Sequence, residues 1–186
     1  MPDRGQVVLG IARSAIERAL GRARPLTTAE AAWLQEKGSS FVTLRRDGDL
    51  RGCIGSLEAY RPLGEDIAQN AVAAALHDLR FPPVEASELD ALEVEVSLLT
   101  PSEPLPCSDE SDALRKLRPG VDGVVIEFGT HRATFLPQVW ESLPEPSLFL
   151  RELKRKAGLP ADFWHPELRI SRYGVEKYFE RAGAHD

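Results

Sequence analysis

Two long segments of this chain repeat apolar residues with the spacing of a helix. Such spacing gathers the apolar side chains into one stripe that packs against a core. It predicts helices over residues 6–21 and 63–79. Phe81-Pro82-Pro83 ends the second one, because a residue before proline avoids the helical conformation.

Shorter helices are marked by their ends rather than by long periodic runs. Capping side chains satisfy the first backbone N–H groups of a helix, and glycine commonly follows its last turn. These signals predict three helices: 147–157 with Ser147 as cap and Gly158 as stop, 31–34 behind a Thr27/Glu30 capping box, and 111–117.

Strict alternation of apolar and polar residues, which is typical of a half-buried strand, is cleanest over residues 92–98. Two pairs of strand-like runs predict hairpins: 41–46 with 50–57 around Asp47-Gly48, and 123–128 with 132–136 around Gly129-Thr130. A last strand is predicted over residues 168–178. Hairpins interspersed with helices favour an α+β fold, a mostly antiparallel sheet with flanking helices.

The composition is that of an ordinary globular protein, with 42% apolar and 28% charged residues among 186. The net charge is −6, and the only dense basic run, residues 151–156, is interpreted as the solvated face of a helix, so DNA binding is not expected. No apolar run approaches the ~20 residues that span a bilayer, so no membrane association is expected. The N-terminus has no signal-peptide pattern, and we expect a cytoplasmic protein.

The two cysteines, Cys53 and Cys107, are far apart, which argues against a disulfide framework in a reducing compartment. The four histidines are isolated from one another, and no Cys/His cluster has the spacing of a zinc site. We therefore expect no metal, and the chain has no recognisable cofactor motif.

The most unusual stretch is Leu-Arg-Gly-Cys-Ile-Gly at residues 50–55. On a regular strand Arg51 and Cys53 share one face and Leu50 and Ile54 the other, whereas a bulge at either glycine would break this arrangement. A guanidinium beside a thiol favours the thiolate, which is the nucleophilic form. The alternative is that Cys53 is a small buried apolar residue and that the glycines accommodate a closely packed helix.

The same six residues resemble the signature of the AMMECR1 family. Further matches occur in the family's order: Asp78, Arg80-Phe81-Pro82-Pro83, residues 92–99 with Pro101, Gly120-Val121-Asp122-Gly123, residues 135–139, Phe149-Leu150, Leu153, residues 156–159, Trp164 and Tyr173. The resemblance covers nearly the whole chain, although Leu79 stands where proline is common in the family.

The resemblance implies one AMMECR1 domain over residues 1–182, built as two intertwined, unequal lobes forming a cleft, with residues 183–186 as a tail. It also implies association, by gene neighbourhood or fusion, with a Memo-like protein and a radical S-adenosylmethionine enzyme, as in the AmmeMemoRadiSam system. It supplies no established activity.

Combining motif and resemblance gives a set of candidate site residues. The predicted catalytic residues are Cys53, Arg51 and Asp78, and the predicted substrate-binding residues are Gly52, Gly55, Arg80 and Gln138. We expect Arg51, Cys53, Asp78 and Arg80 to converge on one cleft, where the arginines can bind a carboxylate or phosphate.

Several of these residues have a structural alternative. Asp78 and Arg80 can equally form a capping ion pair at the end of a helix, and Gln138 can mark a strand end packed under Trp140. His77 is either a base for Cys53 or an exposed residue at the helix end.

Two classes of function fit the sequence. In the first, the protein is an enzyme or enzyme component with Cys53 as nucleophile or covalent attachment point. In the second, it is a non-catalytic interaction module for the Memo-like and radical enzymes, with a small molecule or peptide bound in the cleft. Exposure of the Cys53 sulfur favours the first, and burial favours the second.

Overall fold

The structure, a computed structural model, describes residues 3–22, 25 and 31–180. The chain divides into two compact units. The first contains the chain up to Leu99 and again from Glu176, and the second is Thr100–Val175. Each unit packs around its own cluster of apolar side chains. That residues 1–182 form a single cooperative domain of two lobes around a cleft stays a prediction.

The first unit is an antiparallel sheet covered on one face by helices. Its elements are α1 (Arg4–Ala19), α2 (Ala32–Gln35), β1 (Lys37–Arg46), β2 (Asp49–Gly55), β3 (Arg61–Pro62), α3 (Leu63–Leu76), a 3₁₀ helix (Ala86–Ala91), β4 (Leu92–Leu99) and most of β9 (Val175–Phe179). The strand order is β2-β1-β4-β9, and β3 pairs with the start of β1. β2 is therefore an edge strand.

The second unit is a smaller antiparallel sheet with its own helices. Its elements are β5 (Glu103–Pro104), α4 (Glu110–Lys116), β6 (Gly123–Phe128), β7 (His131–Phe135), a 3₁₀ helix (Pro137–Glu141), α5 (Pro146–Lys156) and β8 (Arg169–Tyr173). The strand order is β5-β8-β6-β7. The expected α+β class with antiparallel sheets is confirmed.

Both predicted hairpins are present. β1 and β2 join through Asp47 and Gly48, which both have positive φ, as a two-residue turn with the twist of a β-sheet requires. β6 and β7 join through residues 129–130, and Gly129 also has positive φ. The Thr27/Glu30 capping box lies outside the described residues.

Three predicted boundaries are wrong. Ser147 does not cap α5: the helix begins at Pro146, whose fixed φ suits the first helical position, and Glu145 precedes it. The strand over residues 168–178 is two strands, because Gly174 interrupts it and binds Thr100 through its N–H and C=O groups. α3 ends at Leu76 rather than residue 79, since Asp78 and Arg80 turn away to bind β2.

The prediction that β4 is half-buried is also only partly correct. Leu92, Val94, Val96 and Leu98 lie in the core as predicted. On the polar face Glu93 is exposed, but Glu95 and Ser97 are buried. The alternating pattern identifies which side chains share a face, whereas burial of the polar face depends on packing that the pattern does not encode.

Candidate functional site

The signature strand β2 is not regular, which corrects the face argument made from the sequence. Leu44 pairs with Gly52 and Arg45 pairs with Leu50, so Arg51 is the extra residue of a β-bulge. The bulge breaks the alternation that would place Arg51 and Cys53 on one regular face. Leu50, expected on the apolar side with Ile54, is 37% exposed.

Both glycines of the signature lie where a side chain has no room. A Cβ added to Gly52 would approach the carbonyl oxygen of Ala74 in α3 to well under 3.0 Å, and one added to Gly55 would meet the ring of Phe41 as closely. Gly52 thus lets α3 lie directly on β2. Their predicted substrate-binding roles stay predictions, but close packing explains why these positions are glycine.

Helix α3 runs back along β2, so its C-terminal end reaches Cys53. The carboxylate of Asp66 near the start of α3 accepts a hydrogen bond from Ser56, just after β2, while Ala74 near the end of α3 lies over Gly52. The segment that leaves α3 therefore begins beside the middle of the strand. This direction brings two distant parts of the sequence motif together.

Asp78 and Arg80 bind the free edge of β2 at Cys53. The backbone N–H of Cys53 donates to Asp78 Oδ2 (2.9 Å), and Arg80 Nη2 donates to the Cys53 carbonyl oxygen (3.2 Å). Cys53 is a non-hydrogen-bonded partner of Thr43, so both of its backbone groups point to the free edge. The predicted proximity of Arg80 and Cys53 is confirmed.

Hydrogen bonds occupy most of the acceptor positions of the Asp78 carboxylate. It also accepts from the backbone N–H of Arg80 (3.1 Å) and from Arg80 Nε (2.9 Å) and Nη2 (2.6 Å), and its side chain is only 5% exposed. The hydrogen bonds from Arg80, and then those from the backbone of Cys53 and Arg80, outweigh burial and hold the pKa of Asp78 well below its ordinary range. Asp78 is ionised in the folded protein at neutral pH.

Arg51 fixes the proline segment rather than the thiol. Its guanidinium donates to both carboxylate oxygens of Glu88 (3.0 and 3.1 Å) and to the carbonyl oxygens of Pro82 (2.8 Å) and Pro83 (3.3 Å). The Arg51 hydrogen bonds, aided by Glu85 N–H and Arg46, lower the pKa of Glu88 to about 2 despite burial. Arg51 thus contacts the backbone that follows Arg80, and not Arg80 itself.

The side chain of Cys53 lies beside a hydroxyl group of the neighbouring strand. Cys53 is half-buried, and its Sγ lies 3.3 Å from Thr43 Oγ1 on β1. Cys107, in the second unit, is also half-buried, and its pKa is raised by burial and then by Asp112. Both cysteines are free thiols.

The remaining candidates lie on the surface. His77 is exposed at the C-terminal cap of α3, and Gln138 is exposed on the 3₁₀ helix of the second unit. Leu79, between Asp78 and Arg80, is 99% exposed. The contribution of Gln138 to a site with Cys53 stays a prediction.

Sequence reasoning missed a second polar cluster at the start of α3. The fully buried Asp66 accepts hydrogen bonds from the N–H and hydroxyl of Ser40 (2.8 and 2.7 Å), Ser56 Oγ (2.7 Å), Arg61 Nε (2.8 Å) and Asn70 Nδ2 (3.0 Å). An acidic residue in the first turn of a helix is common on surfaces, so the sequence carries no signal that this one is buried. The cluster fastens α3 to β1 and to the end of β2.

The described part of the chain contains neither a metal-binding cluster of side chains nor a membrane-spanning helix. Over residues 3–22, 25 and 31–180, no three His, Cys, Asp or Glu side chains are grouped so that they could hold a metal ion. None of the helices in these ranges is both long and apolar enough to cross a bilayer.

Fold and site together define an α+β protein with two antiparallel sheets and a cysteine held at a sheet edge by an Asp–Arg pair. The sequence model of AMMECR1 matches residues 9–178, and the chain belongs to the AMMECR1 family. The resemblance drawn from the motifs is thereby confirmed.

Archaeal relatives resemble the chain over nearly their whole length. A protein of Methanothermobacter thermautotrophicus is 41% identical, covering 96% of this chain and 95% of its own length. Protein MJ0810 of Methanocaldococcus jannaschii is 37% identical, covering 96% and 90%. The crystal structure of the uncharacterized protein PH0010 from Pyrococcus horikoshii has a TM-score of 0.76 at 36% identity, covering 97% of this chain and 94% of that one.

Proposed function

We propose that this AMMECR1-family protein is an enzyme or enzyme component that uses Cys53 as a nucleophile or covalent attachment point. The observation that carries the proposal is the combination of a half-buried cysteine with a fixed backbone. Both edge-facing backbone groups of Cys53 are bound by the Asp78–Arg80 pair. A nucleophile that is held in place reacts with less loss of orientational freedom.

Each charged residue has a distinct part in this proposal. In either role the thiol proton leaves to water and the thiolate supplies the electron pair for a new bond to an electrophilic atom of the substrate. For an amide, ester or thioester, that atom is the carbonyl carbon, and the amine, alcohol or thiol leaves with the electron pair of the broken bond. The side chain of Arg80 is 57% exposed, so its guanidinium can also contact an anionic group of the substrate. Asp78 orients Arg80, and Arg51 holds the Pro82-Pro83 backbone against the strand.

The cytoplasm is the compartment that we propose for this activity. A nucleophilic cysteine must stay reduced, and the reducing cytoplasm keeps thiols in that state. The two free thiols of the protein are compatible with that environment.

The proposal predicts selective and saturable labelling of Cys53. In a Cys107→Ser variant, a panel of small amide, ester and thioester electrophiles should include members whose labelling rate saturates with concentration, because they bind before they react. In a Cys53→Ser variant, Cys107 should react more slowly at neutral pH, since burial raises its pKa. Intact-protein mass spectrometry against time gives both rates.

Strictly second-order labelling of Cys53 by every member of the panel, at a rate no greater than that of Cys107, would contradict the enzyme proposal. Urea-unfolded protein is the control for intrinsic thiol reactivity, because unfolding removes the environment of both cysteines.

One observation favours the interaction module as a second candidate. Leu79 is 99% exposed beside Arg80, whose charge is matched by Asp78. A fully exposed leucine loses its contact with water when a partner covers it, which stabilises a complex. The proposed partners are a Memo-like protein and a radical S-adenosylmethionine enzyme.

This candidate predicts that Leu79→Asp weakens binding of the purified Memo-like protein or radical enzyme by about tenfold or more, because a charge replaces an apolar anchor at the interface. Isothermal titration calorimetry measures the affinity, with Leu57→Asp as the matched control at another exposed leucine (47% exposed) of the same unit. Equal affinity of wild type and Leu79→Asp would exclude this loop from the interface.

A further inference from the structure

A row of polar side chains crosses the first sheet on the face opposite its apolar core. Thr43 on β1 is paired directly with Cys53 on β2 and with Glu95 on β4, so these three side chains share one face. Lys177 on β9 continues the line, with its Nζ 3.9 Å from Glu95 Oε1. We call Cys53, Thr43, Glu95 and Lys177 the polar row.

Glu95 is the unusual member of the polar row. Its residue is only 9% exposed. Within residues 3–22, 25 and 31–180 no group donates a hydrogen bond to its carboxylate, and its oxygens still touch solvent, since every fully buried side-chain oxygen in these ranges has a partner. Its ion pair with Lys177 is longer than a hydrogen bond, and the Lys177 side chain is 47% exposed.

Two other buried carboxylates of the same unit accept several hydrogen bonds. Asp66 and Asp78 each accept four or more hydrogen bonds at 3.1 Å or less. Within the described residues the carboxylate of Glu95 accepts no such hydrogen bond, and water still reaches its oxygens. Glu95 therefore keeps acceptor capacity that a ligand's donor group can use.

We propose that Glu95 binds a cationic or N–H-donating group of the molecule that reacts at Cys53. This inference rests on the proposed function of Cys53 and adds the substrate class. Two strand spacings separate the backbones of Cys53 and Glu95, about 10 Å. The substrate is an electrophile that carries an amine or a similar donor within about 10 Å of its reactive atom. Thr43 lies between Cys53 and Glu95 in the sheet, so it would lie under the part of the substrate that joins the two groups.

Charge-selective thiol labelling tests this inference. In the Cys107→Ser background, 2-aminoethyl methanethiosulfonate carries an ammonium group, whereas methyl methanethiosulfonate is neutral. With either reagent the Cys53 thiolate attacks the sulfenyl sulfur, a disulfide forms, and methanesulfinate leaves with the electron pair of the broken S–S bond. The labelling rate with the cationic reagent divided by that with the neutral reagent reports the charge near Cys53.

We expect Glu95→Gln to lower this ratio by between about twofold and about fifteenfold, the range that one charge at roughly 10 Å produces between water-like and protein-like screening. Glu93→Gln is the matched control, because Glu93 is an exposed glutamate two residues away on the same face of β4. It should leave the ratio within about 1.5-fold of the parent, since solvent screens an exposed charge more strongly. Circular dichroism melting checks that both variants are folded.

An unchanged ratio in Glu95→Gln, or an equal fall in both variants, would overturn the role of Glu95. Failure of the proposed function has a different signature, namely the absence of saturable labelling by the electrophile panel, because the ratio needs only that Cys53 react with small reagents. A Cys53 that reacts with neither reagent in the folded protein would overturn both proposals.

Discussion

Replacing Gly52 by alanine should destabilise the protein by about 3 kcal/mol or more, or prevent its folding. The added methyl group would meet the backbone carbonyl of Ala74, which cannot rotate away as a side chain can. Helix α3 would have to lift from β2, and the contacts of Asp78 and Arg80 with Cys53 depend on where that helix ends. Urea unfolding followed by tryptophan fluorescence measures the loss.

Gly64→Ala is the matched control for this change. Gly64 lies in the first turn of the same helix, and its added Cβ would be 3.5 Å from the nearest atom, an ordinary contact. Alanine favours helix over glycine by up to about 1 kcal/mol, so this variant should be as stable as the parent or more stable. Equal stabilities for Gly52→Ala and the parent would mean that α3 does not lie as close to β2 as the structure places it.

Asp78→Asn should cost about 2–3 kcal/mol of stability at neutral pH. The substitution removes the charge that pairs with Arg80 and replaces one acceptor oxygen by an NH₂ group that faces donors. Asp49→Asn, at an exposed aspartate of β2 itself, is the control and should change stability by less than about 0.5 kcal/mol.

The dependence of this stability loss on pH shows whether the charge of the Asp78 carboxylate or the shape of its side chain is responsible. Because the pKa of Asp78 is lowered on folding, its contribution is complete above the ordinary aspartate value of about 4 and is lost as the pH falls below it. The gap between parent and Asp78→Asn should therefore be widest near pH 7 and should narrow in acid. A gap that stays constant from pH 7 to pH 3 would show that the ionised carboxylate is not what stabilises the strand edge.

The elements that the sequence predicts well are those whose signal is local. The Asp47-Gly48 turn needs two residues that accept positive φ, and the side-chain faces of β4 follow from a period of two. The family motif adds what periodicity cannot, because it links Asp78 and Arg80 to Cys53 although they are far apart in the chain.

The features that escaped prediction depend on pairing partners. The bulge at Arg51 exists only in the register of β2 against β1, and no property of residues 50–55 alone fixes that register. The Asp66 cluster draws on Ser40, from another strand, and so cannot be recognised from the helix that carries Asp66. Burial of Glu95 is likewise a property of tertiary packing.

The contacts at the edge of β2 also bear on how copies of the protein meet one another. An uncovered edge strand offers unpaired N–H and C=O groups to any extended chain, which promotes intermolecular sheet growth. Here Asp78 and Arg80 occupy those groups at Cys53, and Arg51 fastens the Pro82-Pro83 backbone alongside. Two prolines lack the N–H donors that a growing sheet would need. The residues from Asp78 to Pro83, which hold Cys53 in place, therefore also protect this edge strand from pairing with another copy.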